Sequence, residues 1–171
     1  LKDALSNAQN NATIILLTDI PSTDNDEVIQ SQVWPSSTEG PGAVFNIGSK
    51  NLTIKSGIDG KIKVETAFRY VDGDKATTSL VLEGLDFQVQ FPKGAVLAEG
   101  TGSLTVKNCN FATPTGNPDV EGHGIKALVV NTSGMAIIEN CTFENKRTDN
   151  DTYGIYAVYA DKSADVDVKG C

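Results

Sequence analysis

Histidine occurs once in 171 residues, at His123. The chain therefore holds no multi-histidine metal site within its own length. Within GNPDVEGHG, a lone histidine reads as a surface loop residue. No run of about twenty apolar residues is present, which excludes a membrane-spanning helix. Positive charge is also short: 14 Lys and Arg against 22 Asp and Glu leave a net charge of -8, and the basic residues are scattered. Nucleic acid and anionic lipid select clustered basic surface, so neither is expected as the main partner, and the acidic balance reads as solvated surface. The first residue is Leu1 rather than Met and no apolar signal core follows it. The chain is thus expected to be the N-terminal part of a longer protein, processed or excised, with any targeting signal or anchor outside it.

Cysteine is limited to Cys109, Cys141 and Cys171, with no C-x-x-C pair. Three cysteines cannot all pair within one chain, and their spacing follows a repeat rather than a metal-ligand pattern. They read as small buried apolar residues, with a disulfide between two of them as the alternative. N-x-S/T occurs at Asn11, Asn51, Asn131, Asn140 and Asn150, a frequent pattern in an Asn-rich chain that signifies glycosylation only in a secretory context.

Apolar residues make up 39% of the chain, enough for the core of one soluble, folded domain. Their arrangement is repetitive. Five segments align without gaps: LTIKSG from Leu52, LVLEGL from Leu80, LTVKNC from Leu104, AIIENC from Ala136 and VDVKGC from Val166. Their third positions, Ile54, Leu82, Val106, Ile138 and Val168, are separated by 28, 24, 32 and 30 residues. The first and third positions are apolar, which is strand periodicity with one buried face. The fifth position is Ser56, Gly84, Asn108, Asn140 or Gly170, small or turn-forming residues of which most accept a left-handed backbone. Alternation then resumes in a new register at Leu85 and Phe87, Cys109 and Phe111, Cys141 and Phe143. Two short strands meeting at a sharp corner produce this pattern. Ten residues before four of the anchors lie Val44, Val96, Leu128 and Val158 in a further strand, followed by turns such as GTGS, NTSG and DKSA. The unit at 67–80 needs a longer connection through GDKATT. Such units cannot bury their apolar side alone, but stacking them at about 4.8 Å gives a continuous core.

The front differs. LKDALSNAQ has helical spacing, with Leu1, Ala4, Leu5 and Ala8 on one face, and the run at 14–17 reads as a buried strand. A helix over 1–10 would cap the first coil. The polar stretch at 21–41 is expected to pack on the side of the stack through Val28, Val33 and Trp34.

These residues resemble the right-handed parallel β-helix proteins, the architecture shared by pectate-lyase-like enzymes and many bacterial surface adhesins. The resemblance is carried by the N-C-x-F units at 104–111 and 136–143, the truncated copy at 166–171, and the leading helix with TIILLTDI, and it spans nearly the whole chain. It is specific for architecture and weak for activity. It implies an all-β fold, a right-handed parallel β-helix (single-stranded solenoid) of about five to six coils with a short N-terminal capping α-helix. The whole of 1–171 is then one domain, with 42–171 forming the repeated coils. Leucine-rich repeats share the period but require L-x-x-L-x-L-x-x-N, and a β-sandwich predicts no repeated corner residue.

For function, the resemblance implies a non-catalytic bacterial extracellular or surface protein with an adhesive, glycan-contacting or structural role. Its partners would be a glycan or a host or cell-surface protein. The alternative is the N-terminal part of a polysaccharide-degrading β-helix enzyme, a lyase or glycoside hydrolase. Such lyases place acidic calcium ligands and an Arg or Lys base on one lateral face. The nearest counterparts are Arg69 and Lys126, with Asp72, Glu99, Asn131 and Asp161 as neighbours, and solvated strand-end charges explain them equally well. The clustered Asp residues of the hydrolases are absent. No cofactor is expected. Asp19, Asp24 and Asp26, or Asp149, Asn150 and Asp151, offer oxygens to calcium without matching a twelve-residue calcium loop, and turn formation explains them as well. If Ile125, Ala127 and Val129 face inward, then Val44, Val96, Leu128 and Val158 form an apolar flank beside Lys126 and Tyr156. Either the 21–41 stretch covers that flank, or it is a groove where Trp34, Lys126, Tyr156 and Tyr159 contact a ligand, the aromatic rings stacking on sugars.

Overall fold

The structure, a computed structural model, describes residues 1–21, 44–46, 50–71, 78–88, 94–112, 125–146, 155–161 and 164–171. The helix α1 (Lys2–Asn7) leads into β1 (Ala12–Leu16). A first group of strands follows, β2 (Val44–Asn46), β3 (Leu52–Ser56) and β4 (Ile62–Val64), and a second, β5 (Ala67–Val71), β6 (Ser79–Glu83) and β7 (Leu85–Phe87). The third group is β8 (Val96–Gly100), β9 (Ser103–Lys107) and β10 (Asn110–Ala112), and the fourth is β11 (Ile125–Thr132), β12 (Met135–Glu139) and β13 (Thr142–Glu144). The last strands are β14 (Ile155–Ala160) and β15 (Asp165–Lys169). Strands at the same place in each group pair with one another. The sheets run β1-β3-β6-β9-β12-β15, β2-β5-β8-β11-β14 and β4-β7-β10-β13, and the pairings are parallel. Among the described residues no sheet closes into a barrel, and the strands form a solenoid-like stack compatible with a parallel β-helix.

The repeated phrases stack as their spacing requires. Ile14, Ile54, Leu82, Val106, Ile138 and Val168 are successive partners across six layers. The four central members are fully buried, whereas Val168, on the outermost strand, is half exposed. After the corner a second column forms from aromatic rings. Phe87 lies 5.0 Å from Phe111 and Phe111 lies 5.2 Å from Phe143, with planes 5° and 11° apart. These spacings are close to the strand repeat of about 4.8 Å, so a ring in one coil finds its stacking partner in the next.

The corner itself is left-handed, with φ of 67° at Gly84, 53° at Asn108, 53° at Asn140 and 62° at Gly170. Each corner N–H still donates to the next coil: Gly84 to the Lys107 carbonyl, Asn108 to that of Glu139 and Asn140 to that of Lys169. The ladder thus crosses the bend with these backbone donors satisfied. Ser56 departs from the pattern and has no left-handed φ. Its hydroxyl instead accepts from the Ile58 N–H and donates to the Gly60 carbonyl, holding a longer bend before Ile62.

The front end follows the expectation in part. Leu1, Leu5 and Ala8 pack against the core, and Lys50 Nζ donates to the Leu5 and Ser6 carbonyls at the helix C-terminus, where a cation is favoured. Ala4 is exposed. The run 14–17 is not buried throughout, because alternation turns Ile15 and Leu17 outward. The proposed packing of 21–41 through Val28, Val33 and Trp34 falls outside the described residues beyond Pro21.

The sheet containing β8 and β11 corrects the expected flank. Phe68, Val96 and Leu128 pair in register and are fully buried in the core, with Val158 packed beside them. They face inward, and Leu97 and Val129 take the opposite face, itself nearly buried. Both phases of these strands are apolar, so alternation could not tell inside from outside. Val44 is one residue out of that row, since it pairs with Ala67 while Phe45 pairs with Phe68.

The fourth position of each phrase forms a charge row that the apolar pattern did not disclose. Lys55, Glu83, Lys107, Glu139 and Lys169 are in-register neighbours of alternating sign. Lys107 and Glu139 form an ion pair at 3.4 Å. Replacing Glu139 by Lys sets three ammonium groups in sequence down one face. We expect Glu139→Lys to lower stability by about 1 kcal/mol at low ionic strength and by less at high salt, read by urea unfolding. At the corner, Asn108→Ala should cost about 1 kcal/mol and Asn108→Gly less than about 0.5 kcal/mol, because glycine alone enters that backbone region without a Cβ clash. Equal losses for both variants would contradict the corner's role.

Candidate functional site

Three of the four side chains singled out on the flank meet at one place. Lys126 on β11 and Tyr156 on β14 are in-register partners. The Lys126 ammonium lies 5.1 Å from the Tyr159 ring centre and 6.0 Å from that of Tyr156. The two rings meet edge to face at 6.0 Å, with planes 81° apart. Tyr156 and Tyr159 stand three apart on one strand, so alternation sends them to opposite faces. The two rings nevertheless meet, with Lys126 of the neighbouring strand β11 beside both. Each ring is nearly half exposed. A cation within about 6 Å of a ring face is held by the ring quadrupole. Trp34 lies outside the described residues.

Beside this cluster, a cleft of about 250 Å³ opens at the corner between β10 and β13 on one side and β11 and β14 on the other. Ala95, Phe111 and Ala112 form its buried floor, and Ala127 and Phe143 continue the wall outward. Glu144, Asn145, Tyr156 and Ala157 are its exposed lining, with half-buried Lys126 among them. Glu144 also pairs with Lys146 at 3.4 Å. Space exists here because one row of the adjoining sheet is alanine throughout. Ala67, Ala95, Ala127 and Ala157 each precede the paired residues Phe68, Val96, Leu128 and Val158 by one position. The signal was present in the sequence, at spacings of 28, 32 and 30 residues, but as small size rather than as a chemical motif.

The residues nearest to a lyase-type set divide. Arg69 Nε and Nη2 both donate to Glu99 Oε2, at 2.9 and 2.7 Å. Asn131 is the register partner of Glu99, and the Asp161 N–H donates to the Val130 carbonyl. Lys126 stands with the tyrosines instead. Asp72 and His123 are outside the described residues. Of the oxygens considered for calcium, Asp19 Oδ1 accepts the Lys63 N–H at 2.9 Å, a bond to a distant strand rather than the local turn bond expected. Asp24, Asp26, Asp149, Asn150 and Asp151 are outside the described residues.

The cysteines form a corner column of free thiols. Cys109 and Cys141 are buried, and Cys171 is exposed and accepts the Cys141 N–H at its sulfur. Their sulfurs also donate to carbonyls, Cys109 to Lys107 and Cys141 to Glu139. The hydrogen bond to Cys141, and then burial, push the Cys109 thiol far above its ordinary ionisation range.

Comparison of the chain with protein-family models, with curated proteins and with solved structures gave no match.

Thiolate formation and access govern cysteine chemistry, so burial predicts the labelling pattern. A disulfide-exchange reagent at pH 8 should titrate one thiol rapidly in the folded protein, Cys171, and all three in denaturant. Rapid loss of two or more thiols under native conditions would show that the corner column opens to solvent.

Proposed function

We propose that the chain is a right-handed parallel β-helix from a bacterial extracellular or surface protein. Its role in this reading is adhesive: the stack holds a lateral flank, built around Lys126, Tyr156 and Tyr159, that contacts a glycan or a cell-surface protein. The three parallel sheets support the architecture, and the hand follows from the rule that parallel crossovers are right-handed in about 98% of cases.

The observation that carries the functional reading is the meeting of Lys126 with two half-exposed tyrosine rings. Tyrosine offers an apolar ring face and a hydroxyl together, which suits the alternating C–H and O–H surface of a sugar. An ammonium between the rings adds a donor for ring or exocyclic oxygens. The absence of catalysis in this reading draws support from Arg69, whose two donors are directed to Glu99 within a structural ion pair.

A glycan array probed with the protein and with Tyr156→Ala, Tyr159→Ala and Trp34→Ala tests the reading. Binding should fall at least ten-fold for both tyrosine variants. Unaltered binding by all three variants, or no binding to any glycan or to cell-surface protein by the parent chain, would remove the flank as a contact site.

A further inference from the structure

The cleft next to the tyrosines has a character unlike that of the flank. Its inner lining is hydrocarbon: the methyls of Ala95, Ala112 and Ala127 and the rings of Phe111 and Phe143. Its volume, about 250 Å³, lies between two useful limits. An apolar cavity of roughly 150 Å³ takes up benzene, and pockets for drug-sized ligands begin at about 300 Å³. The space therefore suits one small ring system. Phe111 and Phe143 are themselves stacked with nearly parallel planes, and the facing alanines project only methyl groups. A slot between a ring column and a row of methyls favours a flat ligand over a branched one. A sugar in the same place would bury hydroxyls against Ala95, Phe111 and Ala112, whose side chains offer no partner, at a cost of roughly 1–3 kcal/mol for each.

We infer that this cleft binds a small aromatic molecule of one or two fused rings, its apolar edge against Phe111 and Ala112 and any polar substituent toward Asn145 and Tyr156. The cleft shares Lys126 and Tyr156 with the flank of the glycan reading, but its apolar floor takes no part in that reading. Tyr159 belongs to the flank and does not line the cleft, so the two sites separate experimentally.

Indole is the probe, followed by saturation-transfer NMR on the ligand, with methyl β-glucoside as a polar ring of similar size. Indole should bind with a dissociation constant on the order of 1 mM or tighter, and the glucoside should give no cleft-dependent signal. Ala157→Leu places a larger side chain at the exposed mouth, where folding tolerates it, and should weaken indole binding at least ten-fold with an unchanged melting temperature. Phe143→Leu should weaken it less, and Tyr159→Ala should leave it unchanged while impairing any glycan binding. Indole binding that is absent at millimolar concentration, or that Ala157→Leu leaves intact, overturns the inference. So does glucoside binding that Ala157→Leu abolishes, which would make the cleft a sugar subsite.

Discussion

In-register parallel pairing is the constraint on which the rest of this structure depends. Because each strand pairs with its own counterpart in the next coil, the nearest neighbour of a side chain is the equivalent residue one repeat away. Apolar positions then favour repetition of the same kind of residue, as in the row Ile54, Leu82, Val106 and Ile138. Aromatic positions gain a second benefit, since the strand repeat is close to a stacking distance. Charged positions obey the reverse rule. Repeating Lys would place like charges side by side, and the chain alternates Lys and Glu down the fourth position instead. Similarity for hydrocarbon and opposition for charge are two outcomes of one geometry.

This constraint also explains which parts of the fold were legible in the sequence. The phrases around Val106 and Ile138 could be aligned because one phase is apolar, the other largely polar, and a residue fit for left-handed backbone marks the end. The strands β8 and β11 gave no such contrast. Leu97 and Val129 are nearly as buried as Val96 and Leu128, so a double-sided apolar strand kept its inner face hidden and the flank was assigned to the wrong phase. At Ser56 the corner residue kept its column but not its backbone, because a hydroxyl satisfied the bend by another route. Periodicity reports which residues are equivalent; it does not report how each one solves its local problem.

The candidate site was legible to a similar degree. Lys126, Tyr156 and Tyr159 were chosen as aromatic and cationic residues near a strand, and they do converge. The path to them was different from the one expected. Tyr156 and Lys126 share the phase of the inward-facing Val158 and Leu128, yet they lie at the start of their strands, where that phase points into the corner cleft. The cleft itself was missed because it is made by what alanine leaves out. A row of small residues carries no motif, and its effect depends on which column stands opposite.

The placement of the site at this corner has a physical reason. In the coil of β8 to β10, two of the three corners are closed by short turns. Gly100 to Ser103 and Lys107 to Asn110 allow only two residues between strands, and the turn atoms are occupied by bonds to the next coil. Thr132 illustrates the economy: its buried hydroxyl donates to the Gly102 carbonyl and accepts the Gly134 N–H, linking two successive turns. The third corner, between Ala112 and Ile125 and again between Glu144 and Ile155, is joined by longer connections. The alanine and phenylalanine columns beside this corner still repeat, but the connections between them differ in length from coil to coil. Alanine stands opposite phenylalanine here, with Lys126 and Tyr156 beside it. Recognition chemistry is therefore expected where the repeat is least strict, because only there are side chains released from the task of holding one coil to the next.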